Sequence, residues 1–248
     1  MNVIINGCTG RMGQAVAALA EQTADTAVVA GVSPALTKTD DTHFLRLADV
    51  NVPADCVVDF SHHAATKELL EYCLKKNLPV VVATTGQTPE ENALIAEAAK
   101  RIPVFRAANM SLGVAFLAQV VKKAAALFPD ADIEITEIHH NGKLDVPSGT
   151  ALALADSVKE ARPEAETVVG RHSNGLREKR EVGVHSLRLG SQVGTHTVYV
   201  DTGSETLSFT HQANSRALFA EGALSAARFI VCKGPGLYGM ADMLAVSC

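Results

Sequence analysis

Apolar positions along the chain change texture once, near residue 110, and that change divides the molecule. Before it, short Val/Ile-rich runs alternate with helical periods. Asn2 to Asn6 reads as a strand, and Gln14 to Glu21 carries Ala15, Val16, Ala18 and Leu19 at helical spacing. Ala27 to Val32, Cys56 to Ser61, Pro79 to Gly86 and Val104 to Asn109 repeat the strand pattern. Between them Ala64 to Lys75, with Leu69, Leu70, Cys73 and Leu74 on one face, and Pro89 to Arg101 read as helices. Strands that are apolar throughout and alternate with helices predict a parallel sheet covered on both faces. After Asn109 one long helix is expected over Ser111 to Phe128, then a strand alternating from Ile133 to His139, then a helix from Ala151 to Ala161. Val182 to Leu189, Thr195 to Val200 and Thr206 to His211 are strand-like, the last two joined as a hairpin around Asp201 to Glu205. Ser215 to Val231 returns to an amphipathic helix, and Lys233 to Gly239 closes as a loop.

These elements predict an α/β protein. A Rossmann-like doubly wound domain covers residues 1–110 and is completed by 217–248. An α+β domain with a mostly antiparallel open sheet is inserted over 111–216. The first strand runs straight into Gly7-Cys8-Thr9-Gly10-Arg11-Met12-Gly13 and then a helix, which is the context a dinucleotide fingerprint requires. Gly7 permits the tight turn, Gly10 lets backbone approach a pyrophosphate, and Gly13 lets the helix lie close to the sheet. Arg11 can neutralise phosphate charge. Ligands of such sheets bind at the carboxyl ends of the strands, where Ser61 to His63, Ala83 to Gly86 and Ala107 to Ser111 also stand. Thr84 and Thr85 would equally serve as a cap or turn. The second strand ends in Ser33-Pro34-Ala35 where a ribose-binding carboxylate is usual. NADPH is therefore at least as well suited as NADH, with Ser33, Lys38 or Arg11 as candidate phosphate partners.

The densest chemistry lies in Glu137-Ile-His139-His140-Asn-Gly-Lys143-Leu-Asp-Val-Pro-Ser148-Gly149-Thr150, between a strand and a helix start. The helix entrance attracts anions, because its first N–H groups lack intrahelical partners. His139 and Lys143 can both deliver protons. His140 and Lys143 can hold carboxylates, and Ser148, Gly149 and Thr150 can bind another through hydroxyl and N–H groups. Such a loop suits a small dianionic acceptor, though a charged surface turn could use the same residues.

Composition removes several classes. A net charge of −5, 4% aromatic residues and no Trp argue against a nucleic-acid surface. No apolar run is long enough to span a bilayer, and the N-terminus lacks the basic and apolar regions of a signal peptide, so a cytoplasmic protein is expected. The five cysteines, Cys8, Cys56, Cys73, Cys232 and Cys248, include no Cys-x-x-Cys pair and predict neither disulfides nor a zinc knot. A metal site would need convergence among His139, His140, His185, His196 and His211. Neighbouring residues of a strand face opposite ways, so His139 and His140 are poor co-ligands and no metal is expected.

The fourteen-residue loop closely resembles the E-x-H-H-x-x-K-x-D-x-P-S-G-T signature of the dihydrodipicolinate reductase family. Gly7 to Gly13, Asp59-Phe60-Ser61, Thr84-Thr85-Gly86, Ala107 to Ser111, Thr210 to Arg216 and Gly236 to Met240 resemble other family blocks, in order. The resemblance implies NAD(P)H-dependent reduction of a small cyclic dicarboxylate, 4-hydroxy-tetrahydrodipicolinate, in diaminopimelate and lysine synthesis. It implies His139 as proton donor/acceptor, Lys143 as second donor or charge stabiliser, and His140, Gly149 and Thr150 on substrate carboxylates. Gly7 to Met12, Ala83 to Thr85 and Ala107 to Met110 (with Ala108 and Asn109) would contact the cofactor. A homotetramer joined through the substrate-domain sheets is implied as well. The family's acidic residue after the second strand is replaced here by Pro34-Ala35, and its Gly-Thr-Thr by Ala83-Thr84-Thr85. The loop between second and third strands is shorter than in many members, and the Arg after Asp-Phe-Thr is His62. All of these surround the cofactor and leave its identity open. Another two-domain dehydrogenase of amino-acid metabolism and a non-catalytic nucleotide sensor are the competing readings; the presence of both His139 and Lys143 weighs against the sensor.

Overall fold

The computed structural model describes residues 1–245; Cys248 and the end of the expected 217–248 segment lie outside the described residues. The chain divides into two compact units, Met1–Leu112 with Ala217–Cys248, and Gly113–Arg216. In chain order the first elements are β1 (Asn2–Asn6), α1 (Arg11–Glu21), β2 (Ala27–Val32), β3 (His43–Phe44), β4 (Cys56–Asp59), α2 (Thr66–Lys76), β5 (Val80–Val82), α3 (Pro89–Ala99) and β6 (Pro103–Arg106). There follow α4 (Leu112–Leu127), β7 (Asp132–His139), α5 (Gly149–Ala161), β8 (Glu166–Val169), β9 (Glu181–Arg188), β10 (Gly194–Asp201) and β11 (Thr206–Ala213). The last are α6 (Ala217–Ile230), β12 (Gly236–Tyr238) and α7 (Met240–Ala245).

In the first unit seven strands lie in the order β12-β6-β5-β4-β1-β2-β3, every pair parallel. The order reverses at β1, so the topological switch point lies beside its carboxyl end, where the glycine turn stands. Alternate residues feed two cores. Val3, Ile5, Val58, Val81 and Phe105 join Val16 of α1 and Ala223, Leu224 and Ile230 of α6 on one face. Ile4, Val57, Val80, Val82 and Val104 join Leu69 and Cys73 of α2 and Ile95 of α3 on the other. Burial on both faces explains why these strands read as unbroken apolar runs. In this unit two short strands and one α-helix escape the sequence pattern. β3 and β12 have two and three residues and owe their conformation to pairing with β2 and β6, while α7 follows a segment expected to be loop.

In the second unit five strands run β11-β10-β7-β9-β8. The pairs β11–β10 and β10–β7 are antiparallel, whereas β7–β9 and β9–β8 are parallel. The sheet is therefore mixed, which corrects the expectation of a mostly antiparallel one. α5 returns the chain over the sheet after β7, so the next strands run in the same direction as β7. α4 and α5 cover one face, packing Leu117, Val121, Leu154 and Val158 against Ile133, Ile135, Val184 and Val198. Arg162, buried just beyond α5, donates to the carbonyls of Ala125 at 3.0 Å and Ala131 at 2.8 Å, and to that of Phe128, satisfying the end of α4. The other face carries Ile138, Leu187 and Tyr199 among threonines; Leu187 and Tyr199 are exposed. Among the described residues no helix is long and apolar enough to cross a membrane.

Candidate active site

The glycine turn of the first unit can be built only from glycines at two of its three positions. Gly7 has φ +87°, and a Cβ there would stand 2.5 Å from the Phe60 carbonyl oxygen. A Cβ on Gly13 would stand 2.2 Å from the Gly7 oxygen, so the third glycine lets α1 begin directly on the turn. Gly10 donates to the Gly7 carbonyl at 3.0 Å and precedes α1 without a side-chain cap or an acidic residue in the first turn. The opening N–H groups of α1 thus face outward with a favourable dipole, the arrangement that receives a pyrophosphate. Beneath the turn, Asp59 accepts from Asn6 Nδ2 at 2.8 Å and Ser61 Oγ at 2.6 Å, tying β1 to β4. Burial pushes the Asp59 carboxyl up, against the pull of those hydrogen bonds.

A cleft of about 350 Å³ opens here, lined by Gly7, Thr9, Gly10, Ser33 and Arg46 among others. Thr9 Oγ1 and Ser33 Oγ are 2.6 Å apart, which joins the turn to the end of β2. Of the three phosphate candidates, Ser33 lines this cleft, whereas Lys38 and Arg11 are exposed outside its lining. Arg46, which the sequence reading passed over, lines it while paired with Asp49 at 3.0 Å. Met12 is half-buried against the core. Cys8 packs over β2, 3.1 Å from where a Cβ on Gly31 would lie, and burial pushes its thiol up. It has the setting of a packing residue, and so have the fully buried Cys56 and Cys73. Thr84, Thr85, Ala107 and Ala108 line a second hollow of about 250 Å³ together with Arg106, another cation the sequence reading missed. Ala83 is buried behind it. Asn109 accepts from the Ser111 N–H at 2.8 Å, and Met110 is turned into the core, where a Cβ on Gly222 of α6 would lie 1.7 Å from its carbonyl oxygen.

In the second unit the apolar side of the sheet turns polar for its last two positions on β7. Ile133 and Ile135 are core; Glu137 and His139 continue the same face, fully and nearly fully buried. His196 stands opposite Glu137 on β10, and Arg188 beside His139 on β9. The four form one network. Glu137 receives both Arg188 Nη atoms at 2.9 Å each, the Ser148 N–H at 3.1 Å, and Nδ1 of His139. Burial opposes the charge on Glu137, but the hydrogen bonds from Arg188, His139 and the Ser148 N–H outweigh it and hold its carboxyl at about 2. Burial pushes the His139 imidazole below its ordinary value, Glu137 opposing and Lys143 and Arg188 assisting. His196 is pushed down to about 4 by burial, then by His139, whose ring meets it edge-on at 5.1 Å.

The loop residues separate by role. Lys143 pairs with Asp145 at 2.7 Å, and His140 is half-buried, its carbonyl accepting from the Lys143 N–H at 3.2 Å. Ser148 has structural partners beside the carboxylate role expected of it. Its hydroxyl caps α5 by accepting from Ala151 at 3.2 Å and meets His196 Nε2 at 3.0 Å, while its N–H serves Glu137. Gly149, exposed, and Thr150, half-buried, form the first turn of α5, which holds no acidic residue. Glu137, His139 and His196 each bring one ligand-type atom within 4.8 Å of the others. The guanidinium on Glu137 already neutralises that carboxylate and would repel a dication, so the cluster is poorly suited to a metal. Glu137, Arg188 and His196 were absent from the sequence-derived site. The alternation Ile133-Ile135-Glu137-His139 carried the signal, since it puts a carboxylate on the buried face of a strand.

A parallel sheet with a glycine-turn dinucleotide cradle, joined in one chain to a unit with a buried histidine network, defines a nicotinamide-dependent reductase or dehydrogenase. Residues 1–110 match the family model for the N-terminus of dihydrodipicolinate reductase, and residues 113–244 that for its C-terminus. The chain is 44% identical over 246 residues to the 4-hydroxy-tetrahydrodipicolinate reductase of Caldanaerobacter subterraneus subsp. tengcongensis, covering 98% of each. It is 41% identical to that of Clostridium tetani, covering 98% of this chain and 97% of the relative. A dipicolinate-bound dihydrodipicolinate reductase from Paenisporosarcina sp. TG-14 shares the fold at a TM-score of 0.83, with 24% identity and 98% of each chain covered. The diaminopimelate dehydrogenase of C. glutamicum shares it more loosely, at a TM-score of 0.60 and 16% identity, over 98% of this chain and 93% of that one. The chain belongs to the dihydrodipicolinate reductase family and is an NAD(P)H-dependent reductase.

Proposed function

We propose that this protein reduces 4-hydroxy-tetrahydrodipicolinate to tetrahydrodipicolinate, a cytoplasmic step of diaminopimelate and lysine synthesis, working as a homotetramer. The bound nicotinamide, NADH or NADPH, supplies the hydride. Gly7, Gly10 and the start of α1 hold its pyrophosphate, with Cys8, Thr9, Arg11 and Met12 around them. Thr84, Thr85, Ala107, Ala108 and Asn109 lie along the same strand ends, with Ala83 and Met110 behind them. His139 moves the proton that balances the hydride, and Lys143 either shares that transfer or stabilises the developing charge. His140 and the α5 entrance, through Gly149 and Thr150, hold the two carboxylates; Ser148 supports that entrance from beneath. Exposed Leu187 and Tyr199 on the open sheet face suit assembly with further copies.

The observation that carries this reading is the buried Glu137–His139 pair beside a cationic helix entrance. It is a proton-transfer group next to an anion site, which reduction of a small dicarboxylate requires. The test supplies purified protein with NADH or NADPH and with substrate generated freshly from its two precursors. Cofactor should be oxidised only when substrate is present. No oxidation of either cofactor would refute the proposal, and size in solution tests the tetramer separately.

A further inference from the structure

We propose that Glu137 and Arg188 are positioning residues that fix His139 as the Nδ1–H tautomer, leaving Nε2 as its one proton-exchanging nitrogen. The proposal rests on the reading above only in giving His139 a proton to move; the tautomer itself is a property of the resting protein.

Four observations support it. Glu137 is completely buried, and its oxygens are occupied on every side by Arg188, the Ser148 N–H and His139. An ionised carboxylate only accepts hydrogen bonds, so the nitrogen facing it must carry the proton. Arg188 is itself anchored, its Nη2 also donating to the Asp145 carbonyl at 2.8 Å, so the carboxylate cannot swing away without leaving a buried charge unpaired. On the far side of the ring, Gly194 leaves Nε2 without a side chain against it: a Cβ there would stand 2.9 Å from that nitrogen. The ring is thus held at Nδ1, while at Nε2 it meets a residue that carries no side chain.

The ion pair also sets how readily the imidazole gains a second proton. Glu137 on β7 favours the imidazolium, while Arg188 on β9, Lys143 on the loop between β7 and α5, and His196 on β10, when charged, oppose it; His211 on β11 is paired across from His196. Glu137 and Arg188 therefore act on His139 in opposite directions although they are partners. A merely structural ion pair would have no such signature, since loss of either member would just loosen the fold.

The test follows the two ring nitrogens of His139 by nitrogen-15 NMR in the substrate-free protein, assigned with His139→Gln. In the neutral state Nδ1 should be the protonated, pyrrole-type nitrogen and Nε2 the pyridine-type one. Glu137→Gln should lower the His139 titration midpoint by about one pH unit, and Arg188→Met should raise it by a similar amount. The acidic limb of the kcat/KM profile should move the same way in each variant. Glu137→Gln/Arg188→Met, which removes both charges together, should restore a midpoint between the two single variants. A neutral His139 protonated on Nε2 would overturn the proposal in the unmodified protein, even if neither single variant folded. So would midpoints that move together or stay fixed. Because the readout needs no turnover, a protein inactive on the proposed substrate but showing this tautomer would fail the functional reading and not this one.

Discussion

Glu137 and His139 stand two positions apart on β7, on the same face of the sheet, and the carboxylate of one meets Nδ1 of the other. The period of two that packs Ile133 and Ile135 into the core is thus also what aligns the acid with the imidazole. One strand supplies core at one end and a buried acid–imidazole pair at the other, and the helix that follows it is capped by Ser148, which bonds to Glu137 and lies beside His196.

Gly194 is expected to matter to the rate although it touches no loop residue in sequence. Gly194→Ala would place a methyl group 2.9 Å from Nε2 of His139 and force the ring or β10 to move. Steady-state kinetics should show kcat reduced by about tenfold or more, with KM for the nicotinamide cofactor little changed, as displacement at a reacting group costs rate. An unchanged kcat would mean that Nε2 is not the working nitrogen.

Acid should destabilise the second unit earlier than ordinary carboxylates would. His196 is held down at about 4 against a usual 6.5, and Glu137 at about 2 against a usual 4.5. Unfolded chains therefore bind more protons than the folded one through these ranges, so stability falls as pH falls. The His196 contribution is complete above its usual value and is lost from there down to about 4, roughly 3 kcal/mol in all if the group stood alone. His139 and His211, also pushed down by burial, act in the same direction. Urea midpoints followed by circular dichroism should drop below about pH 6.5, and His196→Gln should flatten that drop. A midpoint constant down to pH 4.5, the usual Glu value, would contradict the buried network.

Much of this was legible in the chain. The glycine turn after β1 could be placed at once, because a tight turn and a helix starting on it leave few residues other than glycine at Gly7 and Gly13. The loop from His139 to Thr150 stood out because its residues are chemically unusual together. The parallel half of the second sheet was not legible: strand direction there depends on where α5 returns the chain, which alternation does not encode. Ser148 reads from sequence as a carboxylate donor; that its hydroxyl also caps α5 through Ala151 and meets His196 is visible only in the tertiary structure. Arg188 lies 51 residues from Glu137 in sequence, and nothing local marks it as that residue's partner.

The turn itself makes a prediction for nucleotide binding. Gly13→Ala would bring a methyl group within 2.2 Å of the Gly7 oxygen, so the turn and the start of α1 must separate. Calorimetric titration should show NADPH or NADH affinity falling by about tenfold or more, while overpacking costs about 1–3 kcal/mol of stability. Retained affinity would remove the turn from the cofactor site.

Cofactor choice should respond to the end of β2. Ser33 lines the cleft beside Thr9 and Arg46 with no carboxylate on the strand end itself. Ser33→Asp would repel a 2′-phosphate and offer an acceptor to ribose hydroxyls. The ratio of kcat/KM for NADPH to that for NADH should fall by about tenfold or more. An unchanged ratio would show that the adenosine ribose lies elsewhere.

The central claim, that His139 moves the proton in a reductase reaction, is tested most directly by one comparison. His139→Gln keeps a side chain of similar reach but cannot shuttle a proton. In single-turnover reduction of 4-hydroxy-tetrahydrodipicolinate with cofactor already bound, the variant should be slower by about a hundredfold or more, with the cofactor Kd unchanged. A variant that reduces substrate at the original rate would contradict the account.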